Sequence, residues 1–251
     1  MALEILPIRT GGAAENMAVD FLLLQRYPPS PGLRRAGPQA AVPRFRHYGW
    51  RGPAFTFGYA QKIAFIRGTL PPGETFDLGR RPTGGGLVDH RDDWTYALVI
   101  PRGHPLEEER AAQSYREVHE ALAAALRDQG VPCFTKVSQG EPAGLPSEAS
   151  AKEGVCFQRA ELYDVVHGNS GEKIAGAAQK RNKHGLLFQG SIWRPAVGGP
   201  VDWDKFHDDF AARLATVLGT AAEQVPWPDL NEDEVSGLTE QYSAPEWLEA
   251  R

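Results

Sequence analysis

The run at residues 80–90, which reads RRPTGGGLVDH, places the strongest constraint on what this chain can fold into. Its three consecutive glycines have no Cβ atoms, so a bound phosphate or acyl chain can lie directly against the main chain. The segment WTYALVI (94–100) follows almost at once, and its apolar, β-branched and aromatic residues predict a buried strand. The chain therefore has to hold a flexible, basic loop between elements of a sheet, where binding sites are common.

The glycine run by itself is equally compatible with a plain turn between two strands. It matches neither the phosphate-binding pattern GxxxxGK[ST] nor the dinucleotide-binding fingerprint, because no helix pattern follows it. Arg80 and Arg81, which stand just before Thr83 and the glycines, suit the binding of an anion. His90 has three open roles: a general base, a hydrogen-bond donor to a substrate, or a structural histidine.

The bulk composition is that of an ordinary globular protein. Of the 251 residues, 41% are hydrophobic and 24% are charged, and the net charge of −5 argues against a broad nucleic-acid surface. There is no leader pattern and no run of about 18 apolar residues, so a cytoplasmic location is expected. Two cysteines make a disulfide framework improbable, and the seven histidines show no ligand spacing, so no metal site is expected.

Hydrophobic periodicity predicts both strands and helices along the chain, in one domain over 1–251. The core motifs lie within 15–193, and 194–251 is predicted to be a C-terminal helical tail. Strands are predicted at 3–8, 44–48, 54–59, 95–100, 131–137, 161–166, 173–181 and 186–193, and helices at 15–26, 105–129, 202–218 and 243–249. Residues 63–78 are expected to be irregular with a possible short strand before Arg80, 225–234 to be a loop, and 138–152 to be an exposed loop.

A second group of candidate functional residues, Cys156 and Lys173, lies further along the chain. Lys173, in GEKIAGAAQ, is predicted to begin an edge strand. Such a lysine is often simply solvated, but in a cleft it would stabilise a phosphate or a developing oxyanion. Cys156 is either a core residue or a nucleophile whose thiolate Lys173 or His90 stabilises, whereas Cys133 is interpreted as core.

Five motifs occur in an order that resembles one known family. They are NMAVD (16–20), WRGPAFTFGYAQ (50–61), RRPTGGGLVDH with the following TYAL, the pair Cys156 and Phe157, and KIAGAAQKR (173–181) with the following LLFQGSI. Together they resemble the lipoate-protein ligase A and octanoyltransferase family of the biotin/lipoate protein ligase superfamily. The closest motif match is to the cysteine-dependent octanoyltransferases. The resemblance implies an α/β fold, with a mixed sheet and flanking helices, that forms a biotin/lipoate protein ligase-like catalytic domain. In this domain a glycine-rich loop and a lysine line the acyl pocket.

The resemblance implies a protein acyltransferase of lipoate metabolism, with Cys156 and Lys173 as its catalytic residues. An octanoyl or lipoyl group would pass from a donor such as acyl carrier protein to Cys156 as a thioester. It would then pass to a specific lysine of a lipoyl-domain protein, such as the glycine cleavage H protein or an E2 subunit, without a cofactor. The residues implied to contact substrate are Arg80, Arg81, Thr83, Gly84, Gly85, Gly86, His90, Gly176 and Ala177.

The same resemblance leaves other activities open. A ligase would use free lipoate, ATP and Mg²⁺ to form lipoyl-AMP, and some ligases need an accessory domain or partner. Arg80 or Arg81 and the backbone of residues 84–86 would then contact the lipoyl-AMP, and Lys173 would hold its phosphate and carbonyl oxygens. The Cys156 position and the end of the chain soon after the catalytic motifs favour the transferase. A non-catalytic binding relative is disfavoured by the retained Lys173, glycines and cysteine, and biotin ligation by the RRPTGGG form of the loop.

Overall fold

The computed structural model describes residues 2–27, 41–137 and 160–250 of the chain. The strands are β1 (Ala2–Ile5), β2 (Arg9–Gly11), β3 (Arg44–Trp50), β4 (Ala54–Phe57), β5 (Asp77–Arg80), β6 (Leu87–Asp89), β7 (Asp93–Pro101), β8 (Cys133–Thr135), β9 (Val165–His167), β10 (Lys173–Asn182), β11 (Gly185–Trp193) and β12 (Ala221–Gln224). The helices are α1 (Ala13–Gln25), α2 (Ile63–Thr69), α3 (Pro105–Glu108), α4 (Ala111–Asp128), α5 (Trp203–Val217), α6 (Glu232–Ser243) and α7 (Pro245–Leu248), with a 3-10 turn at Arg194–Val197. None of these helices is long and apolar enough to cross a membrane.

The larger sheet is mixed, as the sequence predicted. Among the described residues its strand order is β12-β1-β3-β7-β11-β10-β9-β8, and β2 also pairs with β3. The pairs of β1 with β12 and β3, and of β2 with β3, are parallel, while β3 and β7 through to β8 pair antiparallel. Strands β7 and β11 are central and almost completely buried, which explains why most of their residues are apolar.

Helices cover both faces of this sheet. Because successive side chains of a strand point to opposite faces, Tyr96 and Leu98 of β7 belong to different layers from their neighbours Ala97 and Val99. Tyr96 and Leu98 pack in a core with α4 and α5, whereas Ala97 and Val99 pack in a second core with α1 and residues of α6. The described part of the chain is thus layered as helices, sheet and helices.

A smaller sheet presents the glycine-rich run. Strand β4 pairs in parallel with β5 and antiparallel with β6, so residues 81–86 connect its two outer strands. Helix α2 packs on it through Ile63 and Ile66, which join Phe55 and Phe57 in a third apolar cluster. The Asp77 carboxylate of β5 accepts the Ala13 N–H at the start of α1, so the small sheet is fixed against the helix that begins the large fold.

Several predicted boundaries were wrong. The strand predicted at 3–8 ends already at Ile5, with β2 beginning at Arg9, and the helix predicted at 105–129 is interrupted between α3 and α4. Residues 63–69, expected to be irregular, form α2, and part of the loop predicted at 225–234 begins α6. The region predicted as a helical tail also contributes β12, which pairs with β1. The loop predicted at 138–152 lies outside the described residues.

Candidate functional site

A pocket opens between the glycine-rich loop and strands β10 and β11. It encloses about 500 Å³ of space, including its open mouth. Its walls combine apolar side chains, bare backbone and a small number of polar groups, which is typical of small-molecule sites. The lining residues are Met17, Tyr48, Thr56, Arg81, Gly85, Val88, His90, Thr95, Lys173, Gly176, Ala177, Ala178, Gln189, Gly190 and Ser191.

Arg81 shapes the glycine-rich loop from inside. Its guanidinium donates to the carbonyl oxygens of Gly84 (2.9 Å) and Gly86 (2.8 Å), and also to the Thr56 hydroxyl (2.9 Å). Gly85, between the two carbonyls, has φ +90°, which a residue with a side chain rarely adopts. The loop is therefore a fixed wall of the pocket, and the Arg81 side chain is buried in it.

His90 uses both ring nitrogens within the protein. Nδ1 donates to the Asp93 carboxylate at 2.6 Å, and Nε2 lies 2.6 Å from Oγ1 of Thr56. The Trp50 ring stacks on the imidazole, with ring centroids 4.0 Å apart. Of the three roles left open by the sequence, this arrangement favours a structural histidine that holds the loop, although His90 also lines the pocket.

Lys173 lies in the pocket wall at the start of β10. The sequence placed it on an edge strand, which was wrong, because β10 runs between β9 and β11. Its side chain is only 6% exposed and forms an ion pair with Asp164, with Nζ 2.8 Å from Oδ2. A Cβ at position 176 would come 2.7 Å from Nζ, so Gly176 provides the space that the lysine occupies.

A buried charge network supports the floor of the pocket. Asp20 of α1 is fully buried and pairs with Arg46 at 2.7 Å. Burial raises the pKa of Asp20, while the Arg46 charge and hydrogen bonds from Gln189 and other side chains oppose that shift. Gln189 donates to Asp20 (2.7 Å) and accepts from the Thr83 hydroxyl (2.8 Å). Thr83 thereby ties the glycine-rich loop to β11 and α1.

Arg80 points to a different part of the fold from Arg81. Its guanidinium donates to the carbonyl oxygens of Tyr59 and Leu248, the latter at 2.7 Å. The Trp247 indole N–H in turn donates to the Arg80 carbonyl at 3.3 Å. Arg80 therefore joins the glycine-rich loop to α7, and it does not line the pocket.

The structure brings together part of the predicted set. Arg81, Gly85, His90, Lys173, Gly176 and Ala177 line one pocket, whereas Arg80, Thr83, Gly84 and Gly86 are not among its lining residues. Cys156 lies outside the described residues. Cys133 is buried as core, and burial raises the pKa of its thiol to about 11. Within the described ranges, no three His, Cys, Asp or Glu side chains cluster as metal ligands.

Sequence reasoning missed several functional neighbours. Gln189 and Ser191 lie within the quoted LLFQGSI motif and could have been noted there as polar residues on a buried strand. Asp164 and Asp93 gave no such signal, because a single acidic residue beside a strand is normally solvated. Both side chains are buried, and each binds a predicted site residue: Asp164 binds Lys173 and Asp93 binds His90.

Comparison with known proteins identifies a matching family. Residues 13–194 match the sequence model of the lipoyl protein ligase A/B catalytic domain. The octanoyltransferase LipM of Halalkalibacterium halodurans is 33% identical over 201 residues, which cover 78% of this chain and 66% of the relative. That of Symbiobacterium thermophilum is 27% identical over 269 aligned positions, covering 93% of each chain. That of Geobacillus kaustophilus is 35% identical, but only 60% of its length is covered.

Solved structures share the fold. A putative lipoate protein ligase from T. acidophilum with bound lipoic acid superimposes with a TM-score of 0.69 over 100% of both chains, at 18% identity. A lipoate-protein ligase A bound with ATP gives a TM-score of 0.67 over 98% of both chains, also at 18% identity. At this identity the likeness establishes the fold, and it confirms the expected catalytic-domain architecture.

Proposed function

This chain belongs to the lipoyl protein ligase A/B catalytic domain family, and we propose that it is a protein acyltransferase of lipoate metabolism. It transfers an octanoyl or lipoyl group to a specific lysine of a lipoyl-domain protein. The named octanoyltransferase relatives support octanoyl as the acyl group. The acceptor is of the kind represented by the glycine cleavage H protein or an E2 subunit, and the donor is an acylated carrier protein.

The observation that carries this proposal is the pocket that joins apolar walls to a buried cation. Met17, Val88 and Ala178 offer apolar surface to a short acyl chain, and Gly85 lets the chain approach the backbone. Lys173 places a positive charge at the same pocket, where exclusion of water strengthens its effect on a developing oxyanion. A pocket that only held an acyl chain would not need that cation, whereas a reaction that develops an oxyanion beside the chain does.

The proposed reaction has two acyl transfers. The thiolate of Cys156 attacks the donor thioester, the carrier leaves as its thiolate and takes up a proton from water, and an octanoyl thioester forms on Cys156. The amine of the acceptor lysine then attacks this thioester, loses a proton, and releases the Cys156 thiol as the amide bond forms. Lys173 stabilises the tetrahedral oxyanion in both steps. No ATP or metal is needed, because the thioester donor is already activated.

The proposal is tested by intact-protein mass spectrometry after incubation with octanoyl carrier protein. We expect a gain of one octanoyl group that hydroxylamine removes and that peptide mapping places on Cys156. The Cys156→Ser variant should show no hydroxylamine-labile adduct, while Cys133→Ser should behave as the wild type. When a lipoyl-domain acceptor is added, the octanoyl group should move from the enzyme to the acceptor.

Two other activities predict different results in the same experiment. An ATP-dependent ligase would leave the enzyme unmodified, would modify the acceptor only with free lipoate and Mg-ATP, and would tolerate Cys156→Ser. A non-catalytic relative would bind acyl groups or the acceptor without changing the mass of either protein. Either result would overturn the thioester mechanism, and the second would overturn the acyltransferase function as well.

A further inference from the structure

Two side chains that do not line the pocket, the buried Asp164 and the half-buried Tyr115, form a chain of hydrogen bonds to Lys173. Oδ2 of Asp164 lies 2.8 Å from Nζ of Lys173 and also accepts the Glu161 N–H at 2.7 Å. The other carboxylate oxygen accepts a hydrogen bond from the Tyr115 hydroxyl. Asp164 is 1% exposed, so its charge is withdrawn from water and is held among these partners.

The backbone beside Asp164 is held in an unfavourable conformation. Tyr163 has φ +66°, a left-handed value that is uncommon for a residue with a bulky side chain. Two contacts maintain it: the Tyr163 N–H donates to the Lys136 carbonyl (2.8 Å), and Nδ1 of His119 donates to the Tyr163 carbonyl (2.8 Å). Such strain persists only where the surrounding structure enforces it, and here it directs Asp164 inward towards Lys173.

Tyr115 connects Asp164 to the pocket wall. Burial, and then the nearby Asp164 charge, raise the pKa of Tyr115 well above its ordinary value, so the hydroxyl remains a donor to the carboxylate. The same hydroxyl oxygen accepts the N–H of Ala177 at 3.0 Å, and Ala177 lines the pocket. One side chain of α4 therefore fixes both the carboxylate and the strand that carries Lys173.

The absence of a side chain at Gly176 leaves room for the ion pair between Lys173 and Asp164. A Cβ at that position would come 2.7 Å from Nζ of Lys173 and 3.0 Å from Oδ1 of Asp164. The first distance is shorter than real Cβ contacts and the second is at their lower limit, so the ion pair occupies the volume that any other residue would fill. Gly176 of β10, Tyr115 of α4 and the strained turn at Tyr163 thus all favour one position for Nζ of Lys173.

We propose that Asp164, held by Tyr115, is a positioning residue that fixes Nζ of Lys173 in the pocket for acyl transfer. The inference rests on the proposed function of Lys173 and assigns how that lysine is held. A lysine side chain has four rotatable methylenes, so without an anchor its ammonium group samples many positions. Misplacement of a catalytic group by about 1 Å can reduce the rate by about 100-fold.

Steady-state kinetics with octanoyl carrier protein and a lipoyl-domain acceptor test the proposal. We expect Asp164→Asn to lower kcat by about 100-fold with little change in KM, because the pocket walls that bind the acyl chain remain. Asp164→Glu should recover part of kcat, and Tyr115→Phe should lower it less than Asp164→Asn does. Glu120→Gln, which removes an exposed ion pair with Arg116 on the same helix, is the matched control and should match the wild type.

A second measurement reads the ion pair without acyl transfer. The protein is treated briefly with acetic anhydride, and mass spectrometry compares acetylation of Lys173 with that of Lys205, an exposed residue of α5 in the same molecule. Asp164→Asn should raise this ratio several-fold, since the amine is released from its buried partner, while Glu120→Gln should leave it unchanged. Melting temperatures show which variants remain folded.

The outcomes separate this inference from the proposed function. Folded Asp164→Asn protein with wild-type kcat and wild-type labelling of Lys173 would overturn the positioning role. A lower melting temperature with unchanged kcat per folded molecule would assign Asp164 to stability alone and would also overturn it. If the wild-type protein transfers no acyl group, the proposed function fails, and the labelling ratio alone decides whether Asp164 holds Lys173.

Discussion

At the scale of the residue, burial decides the chemistry of Lys173. Next to glycines on a strand, a lysine is normally solvated, yet this one is 6% exposed and is paired with Asp164. A cation that has lost its water interacts strongly with charge that develops nearby. Lys173 is therefore a candidate for catalysis, whereas the exposed Lys205 is not.

Replacement of Lys173 tests that difference directly. We expect Lys173→Ala to reduce acyl transfer to a lipoyl-domain acceptor by about 100- to 1,000-fold, because the oxyanion loses its stabilising cation. The rate is followed by the mass shift of the acceptor. Lys205→Ala, on the exposed face of α5, is the control and should retain full activity.

The alanine variant also leaves Asp164 without its ion-pair partner, which by itself is destabilising. The double variant Lys173→Met with Asp164→Asn removes both charges and should melt at a higher temperature than Lys173→Ala. If the double variant is stably folded and still transfers the acyl group at the wild-type rate, Lys173 is not catalytic.

The buried His119 should make the free energy of unfolding depend on pH. Burial lowers the pKa of His119 from 6.5 to about 4, with its Nδ1 donating to the Tyr163 carbonyl. Between pH 6.5 and 4 the unfolded chain therefore binds a proton that the folded protein does not, so the free energy of unfolding falls as the pH falls. From pH 7 to pH 5 this histidine should lower the free energy of unfolding by about 2 kcal/mol.

The measurement is urea unfolding at a series of pH values for the wild type and for His119→Gln, which keeps an N–H donor for the Tyr163 carbonyl. The wild-type curve should fall more steeply from pH 7 to pH 5 than the variant curve. Burial also lowers the pKa of His47 to about 4, but that group contributes equally to both proteins. Parallel curves would show that His119 is not the group responsible.

Residue identities in the pocket were partly predictable. The triple glycine and Lys173 stand out in the sequence because their local patterns are unusual for a plain strand and turn. Asp164 and Tyr115 do not, since their role exists only after β9, β10 and α4 have packed together. Arg80 shows the same limit, because its partner Leu248 lies 168 positions further along the chain.

At the scale of the element, the end of β4 fits closely against the glycine-rich loop. A Cβ added at Gly58 would lie 2.0 Å from the Gly85 carbonyl oxygen and 2.7 Å from the Gly84 carbonyl carbon. Both are backbone atoms, which cannot move aside as a flexible side chain can. The loop can pack here only because position 58 has no side chain.

Gly58→Ala should therefore displace the loop and lower both stability and transfer. We expect a loss of about 1–3 kcal/mol of unfolding free energy, the usual cost of overpacking, and a larger fractional loss of kcat than of folded protein. Gly52→Ala is the matched control, since no atom lies within 4 Å of its added Cβ and its φ is not positive. Equal activity of the two variants would contradict the close fit.

Periodicity predicted the central elements better than the peripheral ones. Strands β7 and β11 were predicted because both faces are buried and their apolar runs are long. Helix α2 was missed, because its seven residues include Gly68 and bury only Ile63 and Ile66. The edge position predicted for β10 was wrong because β9, which overlaps the strand predicted at 161–166, pairs with β10, and no local pattern shows which strands pair.

At the scale of the whole molecule, the C-terminal part of the chain reaches back to the site loop. Helix α6 packs on α1, and α7 follows it to the small sheet. The Arg80 side chain donates to the Leu248 carbonyl, and the Trp247 side chain donates to the Arg80 carbonyl. Two hydrogen bonds therefore join the site loop to α7. The position of the loop thus depends on residues that no local pattern connects to it.

Trp247 is the side chain on which this long-range contact depends. Its ring stacks on Tyr242 with centroids 4.6 Å apart, and its indole N–H reaches the Arg80 carbonyl at 3.3 Å. Trp247→Ala removes both interactions and should lower the unfolding free energy by about 2 kcal/mol, less than for a fully buried tryptophan. Amide hydrogen exchange at residues 80–87 should become faster, because the loop loses its contact with α7.

Two further variants make this prediction specific. Trp247→Phe keeps the ring contact but not the N–H, and should give intermediate exchange at residues 80–87. Trp203→Ala removes a tryptophan that packs on Phe206 in the opposite helical layer, so it should destabilise the protein without a selective effect on the loop. If Trp247→Ala and Trp203→Ala speed exchange equally at residues 80–87, the contact with α7 does not hold the loop, and the loop is then positioned by Arg81, Thr83 and His90.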